Sequence, residues 1–539
     1  MSSSKLVVAD RTRWTLPAIL RERAERHPDR PYATFALGER SFSYGEWDVE
    51  TDAVAAGLAR LGLGKGDAVL EMLRNRPELP LVRFGANKLG AVEVPVNVDY
   101  RGYLLEHVFN TVQARVVVTE ADLAEEIAAS RERLEHLTTI VVVDDELPRV
   151  RGLDVVPFAE LLDAGAPPRV DVHPGDVASI QFTSGTSGPS KGAQIPHAHS
   201  HLLAELNGEL LGVDRESVIF TELPLFHVNA QMSMLTSLIH GCRVAIEPRF
   251  SASEWLERLR RHGATHTPLL GVMLAFLLKT PERPDDADNP LRVVWAVPRL
   301  AEVMEPFMAR FGIEQMPTSY GCTEIGMPVQ GHWGTPAHVT GRVVEEFYEV
   351  QIVDPETGDP VEPGEVGEVV TRNRLPWCVT RGYLGMPERT LEAYRDCWFH
   401  TGDAGRIDAD GWFTFMDRIK DRIRRRGENV ASADVEHVLG EHAAIAESAV
   451  IAVKSEEAGG EDEIKACVVV TAAATLTADE VWAWCDERLP HFAVPRYLEF
   501  LTALPKTPTE KVRKNVLREE GITAATHDRG PAGRGHSRR

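Results

Sequence analysis

The sequence predicts an α/β protein. Its large N-terminal domain should comprise two doubly wound α/β subdomains plus a β-rich subdomain, with a small C-terminal α+β domain after it. Three observations carry this expectation. Short Val-rich runs alternate with amphipathic stretches from residue 16 to about 170, and strands alternating with helices imply parallel sheets. The character changes near Gly341, where strand-like runs are joined by the turn DPETGDPVEPG. A charge cluster at 417–427 then precedes a compact α/β pattern of about 100 residues, enough for a small domain.

Residues 47–61 read as an amphipathic helix, 68–73 as a strand, 79–89 as a helix and 91–96 as a strand closing at Pro95. Runs 115–119 and 139–143 are Val-rich strands. Consecutive Val116, Val117 and Val118 fit a parallel strand buried on both faces. Residues 177–182 read as a short buried strand, and the polar run after it, through His199, does not. Ser251 and Glu254 suggest a capping box for a helix over 251–262, whose last turn holds Arg260, Arg261 and His262 before Gly263. Residues 265–270, 347–353 and 366–371 read as strands, and 406–416 as a hairpin around 408–411. Beyond the charge cluster come a helix at 433–439, strands at 448–453 and 464–470, a helix capped by Thr477 and Glu480, and a strand at 497–501. The expected division is 1–417 for the N-terminal domain (β-rich part about 341–417), 418–421 for a hinge, 422–520 for the C-terminal domain and 521–539 for a disordered tail.

A chain of 539 residues buries a large core in more than one domain. Its net charge of −22 argues against nucleic acid as a partner, since phosphate backbones need a basic face. The six cysteines are scattered with no C-x-x-C pair, which argues against a zinc site and for a reducing compartment. The N-terminus has no apolar signal core, and no run of about 18 apolar residues occurs. The expectation is a cytoplasmic protein with no membrane span.

The stretch TSGTSGPSKG, 183–192, carries the strongest chemical signal. After a hydrophobic strand it offers hydroxyls, glycines and one lysine within ten residues. Backbone N–H groups can turn inward, hydroxyls donate, and Lys191 supplies a point charge, so the loop suits phosphate. It is not a Walker A loop. Ser190 stands where that pattern needs Gly before the lysine, and Gly192 where it needs Ser or Thr. A flexible linker would rarely place a Lys between Ser and Gly directly after such a strand.

Four further stretches are weak singly. His227 in LPLFH reads alone as a satisfied core or surface histidine. Glu324 in SYGCTE suits magnesium beside phosphates, and alone is a surface acid. Asp403 in HTGD suits ribose hydroxyls or an Asx turn. Lys511 in PKTPTEK reads alone as a solvated loop residue.

Together and in this order, TSGTSGPSKG, LPLFH, SYGCTE, GYLGMPERT, HTGD, DRIKD, GEN and PKTPTEK resemble the acyl-adenylate-forming superfamily of acyl-CoA synthetases, peptide-synthetase adenylation domains and luciferases. The resemblance covers about 16–517. The stretches FHVNAQ, RRGENVASADVE and FAVPRYLEF look most like the carnitine/crotonobetaine–CoA ligase branch. It implies an acid–thiol ligase with ATP, Mg2+ and coenzyme A as cofactors and co-substrates. A carboxylate attacks the α-phosphate of ATP to give acyl-AMP and pyrophosphate; the CoA thiol then gives the thioester and AMP.

What the resemblance implies for individual residues is specific. Thr183, Ser184, Gly185, Thr186, Ser187, Gly188 and Lys191 would hold the β- and γ-phosphates. Tyr320 and Gly321 would contact adenine, Thr323 the α-phosphate, and Glu324 the metal. Asp403 and Arg418 would fix the ribose. Lys511 would bridge the attacking carboxylate and the α-phosphate, with Thr183, His227 and Glu324 also in the catalytic set. Lys420 matches a hinge about which a mobile C-terminal domain would turn, presenting Arg425, Arg426 and Gly427 to CoA. Two positions depart from the pattern: Glu510 replaces the usual Gly before the catalytic lysine, and residues 295–298, Trp-Ala-Val-Pro, replace Gly-Gly-Ala-Pro beside adenine.

His227, Val228, Asn229, Gln231, Met232, Gly271, Trp295 and Cys322, with Leu270, would line the acyl pocket. That mixture suits a medium or bulky carboxylic acid with some polarity, carnitine-like or natural-product biosynthetic. Two alternatives stand beside the ligase reading. One is an enzyme that hands acyl-AMP to an acyl-acceptor protein or partner ligase; the other is a non-catalytic ATP- or acyl-AMP-binding protein, since fold does not fix function. An oligomer is compatible with either.

Overall fold

A computed structural model describes residues 6–163, 165–183, 190–297, 301–336, 338–418, 422–425, 428–454, 462–471, 474–489, 493–507 and 511–530. Two large sheets dominate the N-terminal part. The first has seven strands in the order Asp154–Pro157, Thr139–Val142, Val116–Thr119, Ala68–Met72, Val92–Pro95, Val177–Thr183 and Lys191–Pro196. All neighbours are parallel except the last pair. The second has six strands, Val293–Val297, His266–Leu270, Val218–Thr221, Arg243–Ile246, Pro31–Phe35 and Arg40–Ser43, parallel until the final antiparallel pair.

The Val-rich runs are strands because both sheet faces are covered. Val116, Val117, Val118 and Thr119 are all buried, as continuously apolar parallel strands require. Helix Tyr44–Arg60 starts at a true capping box: Ser43 accepts from the Glu46 N–H while Glu46 accepts from the Ser43 N–H.

Three expectations need correction. The polar run after the phosphate loop is a strand, Lys191–Pro196, antiparallel to Val177–Thr183. Its alternation, with Ala193 and Ile195 buried, is period-two packing diluted by Lys191, Gly192 and Gln194. The Ser251–Glu254 capping box does not form. Instead the Trp255 N–H donates to the Ser251 carbonyl, and the helix spans Trp255–His262. The expected disordered tail begins too early. Residues His527–Asp528 pair with strand Tyr497–Phe500, and Arg496 and Arg529 hold Asp528 and Asp486 in ion pairs. Residues 531–539 lie outside the described residues.

After Gly341 the chain is β-rich as expected. Strands Tyr348–Val353, Gly367–Asn373, Trp398–Ile407 and Phe413–Arg418 pair antiparallel. Beyond them, Arg422–Arg425 pairs with Glu428–Ala431. Ile423 and Val430 are buried in the core of the C-terminal part, with Val435, Leu439, Val468 and Leu498. That part has the four-stranded sheet Ile445–Lys454, Asp462–Val470, Tyr497–Phe500, His527–Asp528. Helix Ala478–Arg488 has the expected box from Thr477 and Glu480.

Candidate active site

The expected site residues come from several sheets: Thr183 ends a strand of the seven-stranded sheet, Tyr320 lies on a three-stranded sheet and Asp403 on the β-rich sheet. Strand Val177–Thr183 ends at Thr183, and Lys191 lies directly opposite on the returning strand. Ser184, Gly185, Thr186, Ser187 and Gly188 lie outside the described residues. The loop's exit is held by His107, whose Nε2 lies 2.7 Å from the Ser190 carbonyl. The Thr183 hydroxyl lies 3.4 Å from the Lys191 carbonyl oxygen and 3.5 Å from Glu324 Oε1.

Strand Thr318–Cys322 and the turn after it carry Tyr320, Gly321, Thr323 and Glu324. Gly321 is required there by packing, because a Cβ would fall 1.9 Å from the Gly326 carbonyl oxygen. Tyr320 is only 7% exposed, its ring packed on Phe413 and Phe415 at centroid distances of 5.0 and 5.7 Å. Its hydroxyl donates to Asp403 Oδ2 at 2.8 Å. Burial, reinforced by that carboxylate, raises its pKa well above the usual phenol range. Asp403 is the register partner of Arg418 on the neighbouring strand.

Glu324 is 8% exposed. Its Oε1 accepts from the Tyr383 hydroxyl at 2.9 Å. The Lys191 ammonium lies 4.2 Å from the centroid of the Tyr383 ring. Tyr383 was missed as a site residue. Its only signal in the sequence was the GYLGMPERT stretch, which carries no chemistry of its own.

His227 is the residue before helix Val228–His240. Burial, and then the nearby Lys511 ammonium, push its pKa down to about 4. The Thr507 N–H donates to the Lys511 carbonyl at 2.7 Å, and the Lys511 N–H donates to Thr507 Oγ1 at 3.1 Å.

Of the expected acyl-pocket residues, Val228, Met232 and Trp295 pack in one apolar cluster. Gln231 is buried, and its Oε1 accepts from Gln181 Nε2 at 2.9 Å. A small cavity beside Thr323 is lined by Gln181, His199, Val228, Gln231 and Met232. Gly271 opens the helix after strand His266–Leu270, next to the strand of Trp295. Cys322 packs instead with the Tyr320, Ile325 and Phe413 group. Arg418 ends strand Phe413–Arg418, and Arg425 ends strand Arg422–Arg425. Lys420, Arg426 and Gly427 lie outside the described residues.

Tyr320 thus stands beside the buried Asp403, and Glu324 beside Thr183 and Tyr383, at the end of the strand that leads into the Gly/Ser-rich stretch. The AMP-binding enzyme model matches residues 20–384, and the AMP-binding enzyme C-terminal domain model matches 434–511. The chain is similar to 4-coumarate–CoA ligase 3 of Oryza sativa subsp. japonica, 31% identical over 494 residues, covering 89% of this chain and 87% of that one. It is equally similar to crotonobetaine/carnitine–CoA ligase of Salmonella paratyphi A, 30% identical over 513 residues, covering 92% and 97%. Among solved structures, ATP-bound MatB from Rhodopseudomonas palustris superposes with a TM-score of 0.82 at 25% identity, over 93% of this chain and 98% of that one. An anthranilate CoA ligase, AuaEII, shares the fold with a TM-score of 0.84 at 24% identity, over 94% and 97%. The chain belongs to the AMP-binding enzyme family and is an AMP-forming acid–thiol ligase. No helix among the described residues is long and apolar enough to cross a membrane.

Proposed function

We propose that this ligase converts an uncharged-tailed carboxylic acid of medium or large size to its CoA thioester through an acyl-AMP. The observations that support the reading are two long-range contacts between expected site residues, Thr183 Oγ1 3.5 Å from Glu324 Oε1 and the Tyr320 hydroxyl on Asp403 at 2.8 Å, in a chain of the AMP-binding enzyme family. Lys511 is close enough for its charge to disfavour protonation of His227.

The residues divide the work. The loop from Thr183 to Lys191 receives the β- and γ-phosphates. Tyr320 offers its ring to adenine, while its hydroxyl orients Asp403 for the ribose with Arg418. Thr323 meets the α-phosphate. Lys511 stabilises the negative charge that builds as the acid's oxygen attacks phosphorus; preorganised donors of this kind commonly supply ~10²–10³ in rate. A neutral His227 closes the acyl side without adding charge. Turning of the C-terminal part about Lys420 would then withdraw Lys511 and bring Arg425, Arg426 and Gly427 to CoA.

The donor set fits magnesium held partly by substrate. Among the described residues no three His, Cys, Asp or Glu side chains form a metal cage, and magnesium usually takes one or two protein carboxylates plus phosphate oxygens. Glu324 would hold it; when bound, the ion neutralises charge on the phosphates.

The acyl side favours an uncharged tail bearing a hydrogen-bond acceptor. Val228 and Met232 are apolar, no acidic residue stands among the pocket residues, and Gln231 Nε2 is buried without a partner. A buried donor left unpaired costs about 1–3 kcal/mol, which an acceptor on the acid would recover. This favours an oxygen-bearing aromatic acid, of the kind named for the 4-coumarate ligase, over a quaternary ammonium acid such as carnitine. Mass-spectrometric product analysis with Mg-ATP, CoA and a panel of both classes tests the reading. Thioester and AMP from the oxygenated aromatic acids are expected. Acyl-AMP accumulating despite CoA would move the second step elsewhere, and turnover of carnitine alone would overturn the pocket assignment.

A further inference from the structure

Tyr383 joins the two charged ends of the phosphate-binding apparatus. Its ring lies under the Lys191 ammonium, 4.2 Å from nitrogen to centroid. Its hydroxyl donates to Glu324 Oε1 at 2.9 Å in buried surroundings. One rigid side chain thus touches the cation at the end of the phosphate loop and the carboxylate assigned to the metal.

The backbone around Tyr383 fixes that position. Its N–H donates to Thr390 Oγ1 at 2.9 Å. The neighbouring backbone zips onto strand Lys191–Pro196: Gln194 N–H to the Gly382 carbonyl at 3.0 Å, and Leu384 N–H to the Gly192 carbonyl at 2.8 Å. Gly382 takes φ +110°, and a Cβ there would fall 2.5 Å from Thr390 Cγ2, so the preceding residue must be glycine. The tyrosine is therefore built into the same frame as Lys191.

Resting on the acyl-adenylate reading above, we propose that Tyr383 is a positioning residue for the metal–nucleotide. Its hydroxyl orients the Glu324 carboxylate, and its ring seats the Lys191 ammonium, so that ATP meets a preset cation and carboxylate. Hydrogen bonds that orient a ligating carboxylate commonly govern metal affinity by ~10–100-fold. A cation over an aromatic face adds roughly 2- to 5-fold at a part-exposed site.

Two variants separate the two contacts. Tyr383→Phe keeps the ring and removes the hydroxyl; Tyr383→Leu removes both. The binding readout is Mn2+ affinity of the protein–ATP complex without acid, from the EPR signal of free Mn2+. The kinetic readout is pyrophosphate release against Mg2+ concentration. Tyr383→Phe is expected to weaken Mn2+ binding by ~10-fold or more and to raise the half-saturating Mg2+ in step. Its rate should recover at saturating metal, and its KM for ATP there should be unchanged. Tyr383→Leu should add a further rise of roughly 2- to 5-fold in that KM. The nucleotide-free melting temperature of Tyr383→Phe serves as the folding control. Wild-type Mn2+ affinity in Tyr383→Phe would overturn the proposal, as would a rate loss equal at every metal concentration, the mark of a merely structural role. A wild-type protein that binds no Mn2+–ATP would instead overturn the nucleotide reading, and this inference with it.

Discussion

Replacing Lys511 by alanine tests the adenylation step most directly. The Lys511 carbonyl and N–H both bond Thr507, and alanine keeps both of these backbone groups. The side chain is exposed, and surface substitutions of this kind usually change stability by less than about 0.5 kcal/mol. The loss should therefore appear in chemistry. Removing a preorganised group that meets transition-state charge costs ~10²–10³ in rate, or about 2.7–4 kcal/mol. The variant also removes the secondary cause of the low His227 pKa, but burial, the larger cause, remains. His227 thus stays neutral near pH 7, and the defect should be equally deep from pH 6 to 8. The assay splits the half-reactions: pyrophosphate release from acid and Mg-ATP, and thioester formation from preformed acyl-AMP and CoA. The first should fall steeply and the second much less. A normal adenylation rate, or equal losses in both halves, would refute the role given to Lys511.

Tyr320→Phe should keep the ring stack on Phe413 and Phe415 but lose the 2.8 Å bond that orients Asp403. Calorimetry should show ATP binding weaker by roughly 10- to 150-fold, the scale of one hydrogen bond to a charged group. Gly321→Ala forces a methyl against the Gly326 carbonyl, 1.9 Å from its ideal position, and should destabilise by roughly 1–3 kcal/mol as overpacking does; an unchanged melting temperature would refute that packing role. His266 is buried, with its pKa pushed down to about 4 by desolvation. Below pH 6.5 the unfolded chain protonates this histidine and the folded chain does not, so stability is lost as pH falls toward 4. Between pH 7.5 and 5.5 that amounts to about 1.4 kcal/mol, and His266→Gln should shrink the pH dependence of the unfolding free energy from urea titrations by that amount.

Much of the fold was legible because parallel strands buried on both faces announce themselves as Val-rich runs, and because Thr477 and Glu480 cap a helix through local contacts. Strand Lys191–Pro196 was not legible. Its glycine and polar residues read as loop, and only pairing with Val177–Thr183 makes them a strand. The strands Pro31–Phe35 and Arg40–Ser43 were equally hidden, since they complete a sheet whose other members come from 218–297. Ser251 and Glu254 show the converse: the spacing of a capping box is present, but a backbone turn through Ser251 takes its place. For the site, each stretch was weak because its partner lies far along the chain, 141 positions from Thr183 to Glu324 and 83 from Tyr320 to Asp403. Family resemblance assigned each of these residues a role but neither contact. Tyr383 escaped because its chemistry exists only once the fold puts Lys191 above it and Glu324 at its hydroxyl.

The N-terminal strand carries a consequence for biosynthesis. Phe35 pairs with Ile246, roughly 210 residues later, and Tyr32 and Phe35 are fully buried in the finished fold. At about 5–20 residues per second, the ribosome needs some 10–40 s to deliver the partner strand. The seven-stranded sheet, by contrast, is encoded within 68–196 and can close first. During that interval an aromatic strand waits at the front of the nascent chain with its edge unpaired, the kind of segment that chaperones shield.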